Sequence, residues 1–78
     1  MQDQMTGKAP PLYQVVIDTI VARIASGELP PGAMLPSEVQ LGAELVVSQG
    51  TARKALIDLE ARGLVQRAQG RGTCVTIQ

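Results

Sequence analysis

The sequence predicts an α+β fold in which three helices precede a β-hairpin. Three observations predict it. Apolar residues recur at three- and four-residue steps in three successive segments, each followed by a turn. Two short β-prone runs then flank a glycine-rich connection of hairpin length. The 78 residues include 21 Leu, Ile and Val and 9 Ala, enough aliphatic mass for one small core and no second one.

Each element has its own signal. Residues 1–9 (MQDQMTGKA) are polar and aperiodic and lead into Pro10-Pro11, so 1–10 read as a flexible N-terminal arm and 11–78 as the folded domain. From 12 to about 25, Tyr13, Ile17, Ile20 and Ile24 keep helical rhythm, and Val16 widens the stripe. Pro11 is tolerated at the helix start, and Gly27 supplies the stop. Segment 28–36 (ELPPGAMLP) is a turn in which Ala33-Met34-Leu35 is long enough for a brief strand. Ser37 caps a second helix, Gln40 completes a capping box, and Leu41 and Leu45 face inward before the helix ends near 45. Val46-Val47 turn the chain. Ser48 caps a third helix running to about 62, with Val47 placed to pack on Ala52 as a hydrophobic staple. Ala52, Ala55, Leu56 and Leu59 form its buried stripe, and Gly63 ends it. Residues 64–68 and 73–77 are the two strands. The expected core is Val16, Ile20, Ile24, Leu41, Leu45, Ala52, Leu56, Leu59, Leu64 and Val75.

Composition excludes most chemistry. Without His, the commonest general base and metal ligand is absent. Cys74, the single cysteine, forms neither an internal disulfide nor a zinc cluster. Tyr13 is the only aromatic residue, which excludes a base-stacking platform for single strands. The Ser, Lys and carboxylate residues form no catalytic set, so no enzyme, metal or cofactor is expected. No apolar run approaches the ~20 residues needed to cross a bilayer, and the N-terminus lacks a signal-peptide layout. An unpaired cysteine fits a cytoplasmic location.

Seven basic and seven acidic residues cancel, but not evenly along the chain. Residues 1–48 carry −3 and residues 49–78 carry +3. Such asymmetry points to an acidic or nucleic-acid partner for the basic half.

Two helices joined by a tight turn, the second opening with small polar residues, describe a helix-turn-helix. In that motif the second helix enters the major groove with its first residues against the base edges. Here those residues are Ser48, Gln49, Gly50 and Thr51, followed by Arg53 and Lys54. Gln49 can pair bidentately with adenine, and Arg53 with guanine or a phosphate. Gly50 lets backbone approach DNA closely, and Ser48 and Thr51 can donate to phosphates. In the hairpin connection 69–72, Arg71 stands between Gly70 and Gly72, suited to a narrow, negative minor groove. Arg67 can support it at the backbone.

From Pro11 to about Val75 the chain resembles the winged helix-turn-helix domain of the GntR family of bacterial transcription regulators. The matching text is Pro11-Leu12-Tyr13, Ser26-Gly27-Glu28-Leu29-Pro30-Pro31-Gly32, Leu35-Pro36-Ser37-Glu38, Val47-Ser48, Thr51-Ala52-Arg53-Lys54-Ala55-Leu56, Leu59-Glu60, Gly63-Leu64-Val65 and Gly70-Arg71-Gly72-Thr73. The Pro-Leu-Tyr opening and the Gly-Arg-Gly-Thr segment look most like the HutC-type branch. The resemblance implies a three-helix winged helix-turn-helix with a C-terminal β-hairpin wing. It implies sequence-specific binding of a double-stranded DNA operator, with helix 49–62 in the major groove and wing 69–72 at the minor groove. It places DNA contacts at Ser48, Thr51, Arg53, Gly70 and Arg71. It also implies a repressor-type regulator, homodimeric through a C-terminal effector domain that these 78 residues do not include. Three positions depart from the family pattern. Val39 and Gln49 stand where the family usually has Arg, and Val46 where it commonly has Gly.

Other residues have structural readings. Glu38 lies in the first turn of helix two, where a carboxylate complements the dipole, and is not read as a site. Arg62 suits the negative end of helix three. Cys74 reads as a small buried strand residue, and Tyr13 as core. The competing function is a winged helix used for protein–protein contact, which predicts an apolar or acidic exposed face on helix three.

Overall fold

Helix α1 (Leu12–Ala25) begins where Pro11 places it, and the N–H groups of Gln14 and Val15 donate to the Pro11 carbonyl at 3.0 and 3.3 Å. Pro11 is the N-cap itself, with no side-chain cap. At the other end Ser26 N–H donates to Ala22 O at 2.9 Å, and Gly27 turns the chain at φ +87°. The structure is a computed structural model and describes residues 11–68, 70 and 72–76. The N-terminal arm expected at 1–10 lies outside the described residues.

Helix α2 (Glu38–Leu45) opens with the expected capping box. Gln40 N–H donates to Ser37 Oγ at 3.1 Å, and Ser37 N–H donates to Gln40 Oε1 at 3.0 Å. It ends at Val46, which is left-handed at φ 57°, ψ 49° and 87% exposed. A left-handed residue other than glycine costs roughly 1–2 kcal/mol. The chain then folds down onto α2. Val47 N–H donates to Gly42 O at 2.9 Å, and a Cβ on Gly42 would lie 2.8 Å from the Val47 carbonyl oxygen. A side chain at 42 would require that backbone to shift.

Helix α3 (Gln49–Ala61) is capped by Ser48, whose Oγ accepts from Thr51 N–H at 3.1 Å. It stops one residue before the expected 62, with Arg62 as its C-cap. Ala52, Ala55, Leu56 and Leu59 are all buried, as their spacing predicts. Val47 packs against the core that contains Ala52.

Strands β1 (Val65–Ala68) and β2 (Gly72–Val75) pair antiparallel, with Val65 opposite Val75 and Arg67 opposite Thr73. The strand bounds differ from the expected 64–68 and 73–77. Leu64 precedes the strand, although its carbonyl accepts from Thr76 N–H at 3.1 Å. Gly72 joins β2, and Ile77 lies outside the described residues. In place of the brief strand expected at 33–35 there is an isolated bridge at Met34, flanked by two backbone hydrogen bonds to the hairpin. Met34 bridges to Cys74, Leu35 N–H donates to Thr73 O at 2.8 Å, and Val75 N–H donates to Ala33 O at 2.8 Å. These bonds tie the base of the hairpin to the segment leading into α2.

The core differs from expectation at its margins. Ile24, Leu45 and Leu64 are half-buried and pack against the core rather than within it. Each stands at or near the end of its element, where neighbours surround it on fewer sides. Ile17, Leu35 and Val65 are buried instead, and Cys74 is buried in its strand as expected. Leu35, Val65 and Cys74 are sealed by the strand pairing, which brings residues far apart in sequence together. Across the outside, Arg23 of α1 donates to the Glu44 carboxylate of α2. That hydrogen bond raises the Arg23 pKa further above its ordinary value, against an opposing effect of burial. No helix among the described residues is long and apolar enough to cross a membrane.

Candidate nucleic-acid interface

The first turn of α3 projects from the domain because the stripe that buries the helix begins only at Ala52. Ser48, Gln49 and Gly50 are exposed, and Thr51 is half-buried. Ser48 and Thr51 pair through their hydroxyls at 2.9 Å, so each has a structural role as well as a free lone pair. Gly50 is different. A Cβ there would meet only Ser48 Oγ, at 3.9 Å, so nothing within the fold excludes a side chain.

Arg53 follows one turn later, its side chain 64% exposed. Its Nε lies 3.4 Å from Glu38 Oε2, across the α2–α3 crossing. Gln49 Nε2 donates to the other oxygen of the same carboxylate, Glu38 Oε1, at 3.3 Å. Sequence reasoning assigned Glu38 to the dipole of α2 and missed these partners. They are 11 and 15 residues away, and only the packing of α3 on α2 brings them together.

Lys54 takes another direction. Its ammonium stands 4.4 Å above the Tyr13 ring, a cation–π contact joining α3 to α1. Tyr13 is only half-buried, so it serves as a lid for Lys54 as well as a margin of the core. Arg67, on β1, lies 3.5 Å from Glu60 and is 57% exposed on its side chain. Arg62 donates to Asp58 at 2.8 Å, which suits the helix-end role expected of it. Exposed pairs of this kind contribute at most about 1 kcal/mol, so their cations are readily given up to another anion.

The helix-turn-helix and the hairpin share one face. Glu38 and Gln49 line the same concave surface as Arg67, Gly70 and Thr73. Arg71 and Gln69 lie outside the described residues, so of the expected wing contacts the structure places Gly70 and Arg67. On the other side of the turn, Leu12, Val39, Ala43 and Val46 form a shallow apolar groove beside Ser48 and Thr51. Among the described residues no group of Cys, Asp and Glu is arranged to hold a metal.

This arrangement of helices and hairpin matches known proteins. A family model described as "Bacterial regulatory proteins, gntR family" matches residues 12–75. The mannosyl-D-glycerate transport/metabolism system repressor MngR of Escherichia coli is 45% identical over 65 residues, covering 83% of this chain and 27% of that protein. A histidine utilization repressor of Pseudomonas aeruginosa is 44% identical over 70 residues, covering 88% of this chain and 28% of the repressor. The crystal structure of AraR(DBD) in complex with operator ORR3 superposes with a TM-score of 0.86 at 35% identity, covering 91% of this chain and 86% of that one. The chain spans under a third of the length of the curated relatives it matches.

Proposed function

The chain belongs to the gntR family of bacterial regulatory proteins, and from that premise we infer that it is the operator-binding part of a cytoplasmic transcription regulator. Helix α3 enters the major groove of double-stranded DNA, and the hairpin follows the adjacent minor groove. Ser48 and Thr51 bond phosphates while capping the helix. Gln49 meets a base edge, Arg53 a guanine or the phosphate beside it, and Gly50 lets the backbone approach. Lys54 and Arg67 neutralise phosphates, with Gly70 and Arg71 at the wing. The whole regulator is a homodimeric repressor whose effector domain lies beyond these residues, as befits relatives named as repressors.

The observation that carries this reading is the shared face. Gln49 of α3 and Arg67 of the hairpin line one concavity, so a single duplex can meet both. The apolar groove of Leu12, Val39 and Val46 favours the second reading, a protein-docking module. Selection from a randomised duplex pool, followed by titration at several salt concentrations, decides between them. Four neutralised phosphates (Arg53, Lys54, Arg67 and Arg71) give a log–log salt slope of roughly −3 to −4 per domain. A flat response, or a pool that yields no enriched sequence, supports the docking module instead.

A further inference from the structure

We propose that Glu38 is the positioning residue of the reading face: its carboxylate fixes how Gln49 and Arg53 present their hydrogen-bonding groups to DNA. The inference rests on the DNA-binding reading above. The two carboxylate oxygens are divided, Oε1 accepting from Gln49 Nε2 at 3.3 Å and Oε2 lying 3.4 Å from Arg53 Nε. Glu38 is well placed for this. It is the first residue of α2, and its side chain is only 22% exposed.

The consequence follows from the shapes of the two side chains. A guanidinium can approach an acceptor side-on, through Nε and one terminal nitrogen, or end-on, through both terminal nitrogens. With Nε turned to Glu38, Arg53 keeps the end-on fork, the mode that pairs with guanine O6 and N7 or with a phosphate. Gln49 has one N–H directed to Glu38. Its Oε1 and second N–H stay available, and these are the groups that adenine N6 and N7 require. A residue that carries negative charge and touches no base would thus set specificity. The same carboxylate repels phosphate, so it lowers affinity for DNA in general while sharpening the choice among sequences.

Two measurements test this on the 78-residue chain. The first needs no DNA: side-chain ¹⁵N relaxation of the Arg53 Nε–H in the wild type, Glu38→Gln and Glu38→Ala. Order is expected in the wild type, reduced order in Glu38→Gln, and free rotation in Glu38→Ala. The second compares affinity for the duplex enriched from a randomised pool with affinity for a mixed-sequence duplex. In Glu38→Ala the ratio is expected to fall about tenfold, the scale of one lost bidentate contact. Affinity for the mixed duplex is expected to rise. Thermal melting of each variant verifies that the fold is retained, since a helix-start carboxylate contributes little to it. Unchanged Arg53 order in Glu38→Ala overturns the proposal, as does freed Arg53 with an unchanged ratio. If the wild type enriches no duplex, the DNA reading fails and the proposal with it. If it enriches one and Glu38→Ala alters nothing, only the proposal fails.

Discussion

Gly42 and Gly50 stand on either side of one turn, and they are glycines for different reasons. Gly42 is buried in α2, where a Cβ would lie 2.8 Å from the Val47 carbonyl oxygen. Gly50 is exposed in the first turn of α3, where a Cβ would meet only Ser48 Oγ at 3.9 Å. A glycine inside a helix costs roughly 0.5–1 kcal/mol relative to alanine. At 42 the fold itself demands that cost, because the chain returns across the helix there. At 50 the fold gains nothing from it. The α2 side of the turn is closed by the protein's own backbone, whereas the α3 side is open.

The largest expected effect tests the inner face of α3, which anchors the open side. Leu56→Ala should cost roughly 2–5 kcal/mol in urea denaturation, since Leu56 is buried within the core. A loss well under 1 kcal/mol would mean that the helix is held by something other than its stripe. Gly42→Ala is the next test. Helix propensity alone predicts a gain, but the clash with Val47 should reverse the sign and cost about 1–3 kcal/mol. A stabilised Gly42→Ala would break the contrast between the two glycines. Gly50→Ala should do the opposite, raising stability by about 0.5–1 kcal/mol while weakening affinity for the enriched duplex. Stability and binding moving in opposite directions is the signature of a residue chosen for a partner. If both rise, Gly50 lies away from the DNA.

Much of the architecture was legible in the sequence because local rules govern it. The Ser37–Gln40 capping box, the Ser48 cap and the stripe of Ala52, Ala55, Leu56 and Leu59 depend on residues within one or two helical turns of each other. What was misplaced depends on distant pairing. Ile24, Leu45 and Leu64 looked like core because their periodicity is right, but element ends are only half enclosed. Leu35 and Val65 are buried because segment 33–35 and the hairpin bond to each other, which no helical or alternating pattern announces. The candidate site divides in the same way. Gln49, Gly50, Arg53 and Arg67 could be named from residue type and motif. The contacts of Glu38 with Gln49 and Arg53 could not, because an 11-residue and a 15-residue separation say nothing until α2 and α3 cross. Val46 carried a signal of another kind. The resemblance implies glycine at this position, and the left-handed φ of 57° gives a physical reason for one.

The most direct test of the open face asks whether α3 reads bases while the wing holds the backbone. Wild type, Gln49→Arg and Arg71→Ala would each be titrated on the enriched duplex and on its single-base variants, at several salt concentrations. A Gln amide matches adenine N6 and N7, whereas Arg matches guanine O6 and N7. Gln49→Arg should therefore move the preferred base at one position toward guanine by about 1–3 kcal/mol. Arg71→Ala should weaken binding to most sequences alike and reduce the salt slope by about one. If Gln49→Arg raises affinity for every duplex equally and leaves base preference where it was, the start of α3 faces phosphate or solvent, and the assignment of the reading face is wrong.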